Sequence, residues 1–322
     1  MRSAKVMPYH IGLKVKLYPS YEQKHIITVN DGVTRAVYNH LVACGNEKYR
    51  LSKTVSVVPV YKERIDYINS VTGDVRNIKN ALPYLYGKDV DEQAIANAIK
   101  NYHIAWKNQK ERHTGVPTFK KKSYELSYQT NAHYYNSGKD SNVRFIDNKH
   151  ITLPKLGRIQ IGGSKKIIRE LRKRTCDTRI GSIRISKDAV GEYWASLSIA
   201  SEEPFRDALP KTGSMQGIDL NLLDLVNTSD DNTNANMRYY LKSEEILHKQ
   251  QHKLSRMAEH AKTTHRSLQT SHNYQKQRQK VAYTHRKVNR QRTDYLHVLS
   301  KHQIENQDLI VAENLKVRNM LK

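Results

Sequence analysis

Ile11, Leu13, Val15 and Leu17 alternate with Gly12, Lys14 and Lys16 along "HIGLKVKLYP". A period of two predicts a strand with one apolar face and one basic face. Pro19 ends it, and Ser20 followed three residues later by Gln23 predicts a helix start. Helical spacing continues to about Arg50. A second helix is predicted from about Asp89 to Gln109, where Ile95, Ile99, Tyr102 and Trp106 recur every three to four residues. The segment "TGVPTFKKKSY" reads as a loop. From about Ser141 to Ser201 the period shortens to two again, in "HITLPKLGRIQI", "IGSIRIS" and "EYWASLSIA". Regular turns between these runs predict a small barrel or sheet. The basic stretch "KKIIRELRKRT" between them reads as a short helix or loop. "SEEPFRDALPKTGS" reads as a linker, and a new domain is expected near Thr212.

The second part begins with strands predicted at Met215–Leu220, Leu222–Thr228 and, after the polar turn "SDDNTNAN", Met237–Leu241. Residues Ser243 to Gln307 contain neither Gly nor Pro. One helix is marked by Ile246, Leu254, Met257 and Ala261, with Gln250 in the same register. A second is marked by Tyr274, Val281, Val288 and Tyr295, after a break at "TTHRSLQTSHN". A last strand is predicted in "DLIVAENL". Asp219 falls inside an apolar run that reads as a buried strand, where an ionised carboxylate costs roughly several kcal/mol unless compensated. Glu313 ends the last strand in the same way. Three strands, a helical insertion and a returning strand make the first part of an RNase H-like fold, with first and fourth strands adjacent. Asp219 and Glu313 then share a cleft and could hold Mg²⁺, because metal-assisted phosphodiester cleavage uses paired hard carboxylates. The alternative is that each acid caps a turn or pairs with a lysine. Asp224 and Asp308 read as surface acids.

Charge narrows the function. The chain has 322 residues, a net charge of +24 and a pI near 9.8, a field that attracts phosphates. No apolar run approaches the roughly 18 residues of a membrane span, and "MRSAKVMPYH" lacks a signal-peptide core. A cytoplasmic protein with no membrane partner is expected. Cys44 and Cys176 make no zinc spacing and the 15 histidines no HExxH, so no zinc is expected. Twenty tyrosines against three phenylalanines suit a wet, stacking surface. Between Lys249 and Lys301 there are 13 Lys/Arg and 2 Asp/Glu. Helices with that imbalance repel themselves unless phosphates neutralise them. Candidate phosphate contacts are Arg278, Lys280, Arg286, Arg290 and Arg292 there, Lys165, Lys166, Arg169, Arg172, Lys173 and Arg174 in the basic stretch, and Lys120, Lys121 and Lys122 in the loop. Asn97, Lys100 and Asn101, before Trp106, offer donors for reading a short duplex motif; Asn can contact adenine bidentately.

"GIDLNLLDL" and "LIVAENLKVRNM" resemble the first two RuvC motifs of TnpB proteins, transposon-encoded RNA-guided nucleases related to type V CRISPR effectors. The resemblance runs in order along most of the chain. "LKVKLYPSYEQ" is similar to the family's N-terminal strand and turn, and "RAVYNHLV", with Arg35, Tyr38 and Asn39, to its first recognition helix. "AWKNQKERHTGVPTFKKKSY" resembles its Trp-Lys-Asn helix end and PxFK loop, and "ITLPKLGRIQI" its wedge strand. "HKLSRM" and "RQRTDYLHVLS" resemble the basic helix pair between the RuvC motifs. The resemblance implies an α+β multidomain protein: a wedge-type β-barrel (1–20 and 126–208) with an inserted helical recognition lobe (21–125), then a RuvC-like domain (209–322). It implies a guide RNA as cofactor and double-stranded target DNA as partner. The guide scaffold would lie against wedge and RuvC surfaces and the guide–target duplex between recognition lobe and RuvC.

The chain departs from the pattern. No glycine follows "GIDL", and the sequence shows neither the CxxC…CxxC ribbon nor the third RuvC acid, in a "DRDxNAA"-like helix. A truncated domain of this kind resembles the nuclease-dead TnpB-like repressors called TldR, with Asp219 and Glu313 as vestigial acids and Mg²⁺ compatible but not required. The expected function is RNA-guided DNA binding and repression without cutting. Two alternatives stand: an active RNA-guided endonuclease using Asp219 and Glu313, and an RNA-binding accessory factor that never opens DNA.

Overall fold

The computed structural model describes residues 4, 6–53, 58, 60–135, 140–174, 176–221, 223–230 and 232–313. They form two compact units, Met1–Phe205 and Arg206–Lys322.

In the first unit, β1 (Tyr9–Tyr18) leads into α1 (Tyr21–Ser52), α2 (Val60–Val71), α3 (Val75–Ala81) and α4 (Glu92–Arg112). The strands follow as β2 (Leu126–Asn131), β3 (Tyr134–Tyr135), β4 (Asp140–Ser141), β5 (Arg144–Phe145), β6 (His150–Leu153) and β7 (Gly157–Gly162). Helix α5 (Lys165–Lys173) precedes β8 (Thr178–Lys187) and β9 (Tyr193–Ser201). The alternation in β1 does what its period predicts. Leu13, Val15 and Leu17 are buried opposite Leu197, Ala195 and Tyr193 of β9. On the other face, Lys14 Nζ lies 5.0 Å from the Trp194 ring centre, and Lys16 Nζ pairs with Glu192 Oε1 at 2.8 Å.

β1 is the central, fourth strand of an antiparallel sheet ordered β2-β8-β9-β1-β7-β6-β5, with three strands on either side. Residues from both flanks, Tyr128 of β2 and Ile151 and Leu153 of β6, join β1, β8 and β9 in one core. A flat sheet could not bring them together, so the sheet curls around that core. Its hydrogen-bonded ladder ends at β2 and β5 among the described residues.

The helices inserted after β1 have their own core. Val33, Val37 and Leu41 of α1 pack with Ile78, Leu85, Ile95 and Ala98. Ser20 and Gln23 form the expected capping box, and Gln23 Nε2 also donates to Leu156 O and Arg158 O at 2.9 Å, tying α1 to the β6–β7 turn. Gly45 leaves room for the Tyr102 hydroxyl; a Cβ there would lie 2.3 Å from it. Helices α2 and α3 lie in a stretch where no clear period stands out in the sequence.

The second unit has β10 (Met215–Asp219), β11 (Asp224–Thr228), β12 (Thr233–Ala235), α6 (Leu241–Thr263), α7 (His272–Asn306) and β13 (Leu309–Ala312). Residue 222, placed at the start of a predicted strand, lies outside the described residues. The strand expected at Met237–Leu241 is a correction: those residues form the turn into α6, and the third strand is β12, drawn from the supposed polar turn. Thr233 and Asn234 pair with Asn227 and Val226, which short polar residues on an edge strand allow. Sheet order is β12-β11-β10-β13, with β10 and β13 parallel. The helix pair packs along a mixed seam. Val281 and Val288 are buried; Gln277 Nε2 donates to Gln250 O at 2.9 Å and Thr284 Oγ1 to Gln250 Oε1 at 2.9 Å.

Asp308 fastens β13 to the start of β10. Its carboxylate accepts from Thr212 N–H and Gly213 N–H, each at 2.9 Å, and its own N–H donates to Ser214 O at 2.8 Å. Those amide bonds hold its carboxyl below the usual carboxylate range. A carboxyl lowered in the folded state stabilises it above the unfolded value, and the gain disappears as pH falls through the folded value. Melting temperatures taken from pH 7 down to about pH 2, past the ordinary carboxylate value of about 3.9, should fall more steeply for the wild type than for Asp308→Asn, with the curves converging below about pH 4. Parallel curves would show that this tie carries no stability.

Candidate nucleic-acid interface and carboxylate pair

The parallel ladder sets Gly217 beside Val311 and Ile218 beside Ala312. One residue further, Asp219 stands beside Glu313, and neighbouring strands lie about 4.8 Å apart. The expected juxtaposition of the two acids is therefore present. The burial expected for Asp219 is a correction: both carboxylates are exposed. The physical reason is that one face of this sheet is uncovered among the described residues. Met215, Leu309 and Val311, which alternate in register with the acids, are 70%, 50% and 59% exposed. No desolvation cost needs a compensating partner.

Asn227 pairs with Asp219 across the ladder, and its enclosed amide oxygen has no hydrogen-bond partner among the described residues. Two carboxylates and an amide oxygen are hard donors, and Mg²⁺ is commonly held by one or two carboxylates plus substrate phosphates. The set fits one such ion. Among the described residues no three His, Cys, Asp or Glu side chains converge as a metal cluster. Asp308 lies at the opposite end of β13, away from the pair; Asp224 lies on β11, three residues before the Asn227 that pairs with Asp219.

The cationic residues divide into holders and presenters. Arg35 pairs with Asp31 at 2.9 Å, and Asp31 also accepts from Ser127 N–H at 2.9 Å. Tyr38 is buried, edge-on to Tyr102 at 6.0 Å, with Lys120 Nζ 3.9 Å from its ring centre. Asn39 clasps the main chain of Lys120: Lys120 N–H donates to Asn39 Oδ1 at 2.7 Å and Asn39 Nδ2 to Lys120 O at 3.0 Å. Partial desolvation lowers the Lys120 ammonium, helped by Arg184 and opposed by Asp31. Tyr38 and Asn39 thus fix the loop at Lys120, Arg35 holds the Asp31 that caps β2, and Lys121 and Lys122 stand in solvent.

Helix α5 is a presenter. Ile168 is fully buried and Ile167 and Leu171 pack on the core, whereas Lys165, Lys166, Arg169, Arg172 and Lys173 are exposed. Arg172 Nη1 donates to Asn148 Oδ1 at 3.2 Å. Arg174 belongs to the fold: its guanidinium lies 4.9 Å from the Phe205 ring and donates to Pro204 O at 2.6 Å. On α7, Lys280, Arg290 and Arg292 are exposed and Arg278 and Arg286 half-exposed, Arg286 lying 5.4 Å from the Tyr283 ring.

Asn97 requires a correction. It is 4% exposed, and its amide nitrogen donates to Gln93 O at 2.8 Å and Gln129 O at 3.1 Å. Both hydrogens are committed, so Asn97 ties α4 to β2 and reaches no base. Lys100 is exposed and Asn101 half-buried on the same helix. Asn97→Ala should lower stability by about 1–3 kcal/mol, the cost of stranding buried polar groups, and weaken DNA binding equally for all flanking sequences. Unchanged denaturation with altered flank preference would restore it as a base reader.

Residues 196–322 match the family model of IS605 OrfB, described as "Probable transposase", and residues 7–53 the family's "Helix-turn-helix domain". In this chain the second span holds strand β1 and the single long helix α1. The chain is 26% identical over 309 residues to "Putative RNA-guided DNA endonuclease InsQ" of Escherichia coli (strain K12), covering 96% of this chain and 67% of that protein. It is 24% identical over 313 residues to "Putative RNA-guided DNA endonuclease" of Streptomyces pristinaespiralis, covering 96% and 68%. Among solved structures it is similar to that of a Cas12f1–sgRNA–target DNA complex, with 8% identity, a TM-score of 0.47, and coverage of 96% of this chain and 81% of the other.

Proposed function

We propose, for a chain that belongs to the IS605 OrfB family of TnpB-type proteins, RNA-guided binding of double-stranded DNA without cleavage, with repression as the consequence of occupying a promoter. The observation that carries this reading is the pair of outward basic faces, α5 in one unit and α7 in the other, each backed by a buried seam. Phosphates are the partners that relieve such faces. Its curved sheet serves as the wedge, the α1–α4 insertion as the recognition lobe, and the β10–β13 sheet as part of a RuvC-like domain. Guide pairing would read the target sequence, and side chains would read only a short adjacent motif. Lys100 and Asn101 on α4 are the residues proposed for that motif.

Absence of cutting rests on the donor set. A two-metal clamp stabilises both the attacking and the leaving oxygen, and among the described residues the acids brought together are Asp219 and Glu313, with no third His, Cys, Asp or Glu converging on them. Asp219, Glu313 and Asn227 would hold a single Mg²⁺, which when bound would polarise a phosphate. The relatives named as endonucleases, and the adjacency of the two acids, favour the second reading: an active nuclease at this site.

One experiment separates the two. Protein loaded with its own guide is given matched duplex DNA with Mg²⁺ or Mn²⁺, and binding and cleavage are followed over hours. Guide-dependent retention without cuts, unchanged in Asp219→Ala, is the expected result. Specific cuts that vanish in Asp219→Ala would make the nuclease reading correct; absence of guide-dependent duplex binding would leave an RNA-binding factor.

The basic faces predict a salt effect. Each lost phosphate contact lowers the log–log salt slope by roughly 0.9 on duplex DNA. Lys166→Ala with Arg169→Ala should therefore flatten the slope by about 2 and weaken all sequences alike. An unchanged slope would remove α5 from the interface.

A further inference from the structure

A cavity of about 480 Å³ lies where the turn into α6 meets α7. Pockets that enclose small ligands span roughly 300–1,000 Å³. Its walls are Tyr239, Tyr240, Tyr295 and Met237, with Arg238 and Arg292 among the lining residues. We propose that this cavity holds one unstacked nucleotide of a single strand, its base on the tyrosines and its phosphate on the guanidinium groups. The inference rests on the nucleic-acid reading above and adds a site to it.

Four features support it. The aromatic wall is set before any ligand arrives: Tyr295 Oη donates to Ala235 O at 2.8 Å, and its ring meets Tyr239 edge-on at 6.3 Å. Apolar surface remains open around it, with Tyr240 and Leu296 exposed. Among the described residues, neither Arg238 nor Arg292 has a carboxylate partner. Arg238 also adopts a left-handed backbone, φ 46°, with its N–H bound to Asn236 Oδ1 at 3.1 Å. A non-glycine residue held there is strained, and such strain collects at ligand sites.

Position gives the site a use. Asp219 pairs with Asn227, and β11 runs antiparallel to β10. Leu225, part of the cavity lining, therefore lies past the Asp219 end of the sheet. A nucleotide seated there would hold its strand at the carboxylate end. A base inside a duplex has both faces occupied by neighbours, so the chemistry selects an unpaired one. Base-on-aromatic stacking with a cationic neighbour is tolerant of base identity.

The test uses the full chain and two 12-nucleotide probes, one DNA and one RNA, each with a central 4-thiopyrimidine. Irradiation followed by peptide mass spectrometry locates the base. Crosslinks on the Met237–Tyr240 or Tyr295 peptides are expected, and the stronger arm identifies DNA or RNA as the source. Tyr240→Ala should cut affinity and crosslink yield about tenfold, the range of one lost stack; Tyr240→Phe should keep both. An abasic central position should weaken binding by the same factor. If Tyr240→Ala fails to fold by circular dichroism, Leu296→Trp, which fills the cavity from α7, replaces it with the same expectation. Crosslinks confined to α5 or elsewhere on α7 would overturn the proposal, as would equal binding of abasic and intact probes. Guide-dependent target binding with an empty cavity would remove only this site. Crosslinks in the cavity of a protein without guide-dependent binding would remove the RNA-guided reading and keep the site.

Discussion

Electrostatic self-repulsion is the constraint on which this structure depends. A net charge of +24 opposes compaction, because like charges brought together raise the energy of the folded state. The chain answers by separating its cations from its cores. β1 turns Leu13, Val15 and Leu17 inward and leaves Lys14 against Trp194. α5 does the same on a shorter scale, with Ile168 inside and five cations outside. α7 buries Val281 and Val288 and keeps its arginines off that seam. Carboxylates are spent sparingly: Asp31 holds Arg35, Glu192 holds Lys16, and Asp308 holds two backbone amides instead of a cation. The remaining positive field points outward, and a polyanion relieves it.

The same separation shapes the two kinds of candidate site. Asn39 gives its amide and Tyr38 its ring to the loop that carries Lys121 and Lys122, and Arg35 gives its guanidinium to Asp31. Asp219 and Glu313 instead stand exposed at the ends of adjacent parallel strands. Paired acids in a basic protein create a local negative spot where a cation is favourable and a phosphate is repelled unless a cation intervenes. The cavity lined by Tyr239, Tyr240 and Tyr295 lies at that end of the sheet.

Much of this was legible in the sequence where a pattern is local. The two-residue period of β1, the Ser20–Gln23 capping box and the break between α6 and α7 all rest on neighbours within a turn or two. The adjacency of β10 and β13 followed from the order of elements. Other features depend on partners far along the chain. Asn97 looked like a free donor because its acceptor, Gln129 O, lies 32 residues away. Asp219 looked buried because an apolar run does not reveal that one sheet face is uncovered. β12 was read as a turn because Thr233–Ala235 takes its stability from pairing with β11. The tyrosine cavity joins residues from the turn before α6 to α7 more than 50 positions later, and only the abundance of tyrosine hinted at it.

On the proposed reading, a guide RNA matches the charge of this chain. Sequencing the RNA that co-purifies with the full chain, after washing at a salt concentration that strips non-specific RNA, tests it most directly. One dominant transcript with a structured part and a constant boundary, retained in near-stoichiometric amount, is expected. A broad sample of cellular RNA released at the same salt, or protein free of RNA, would contradict it.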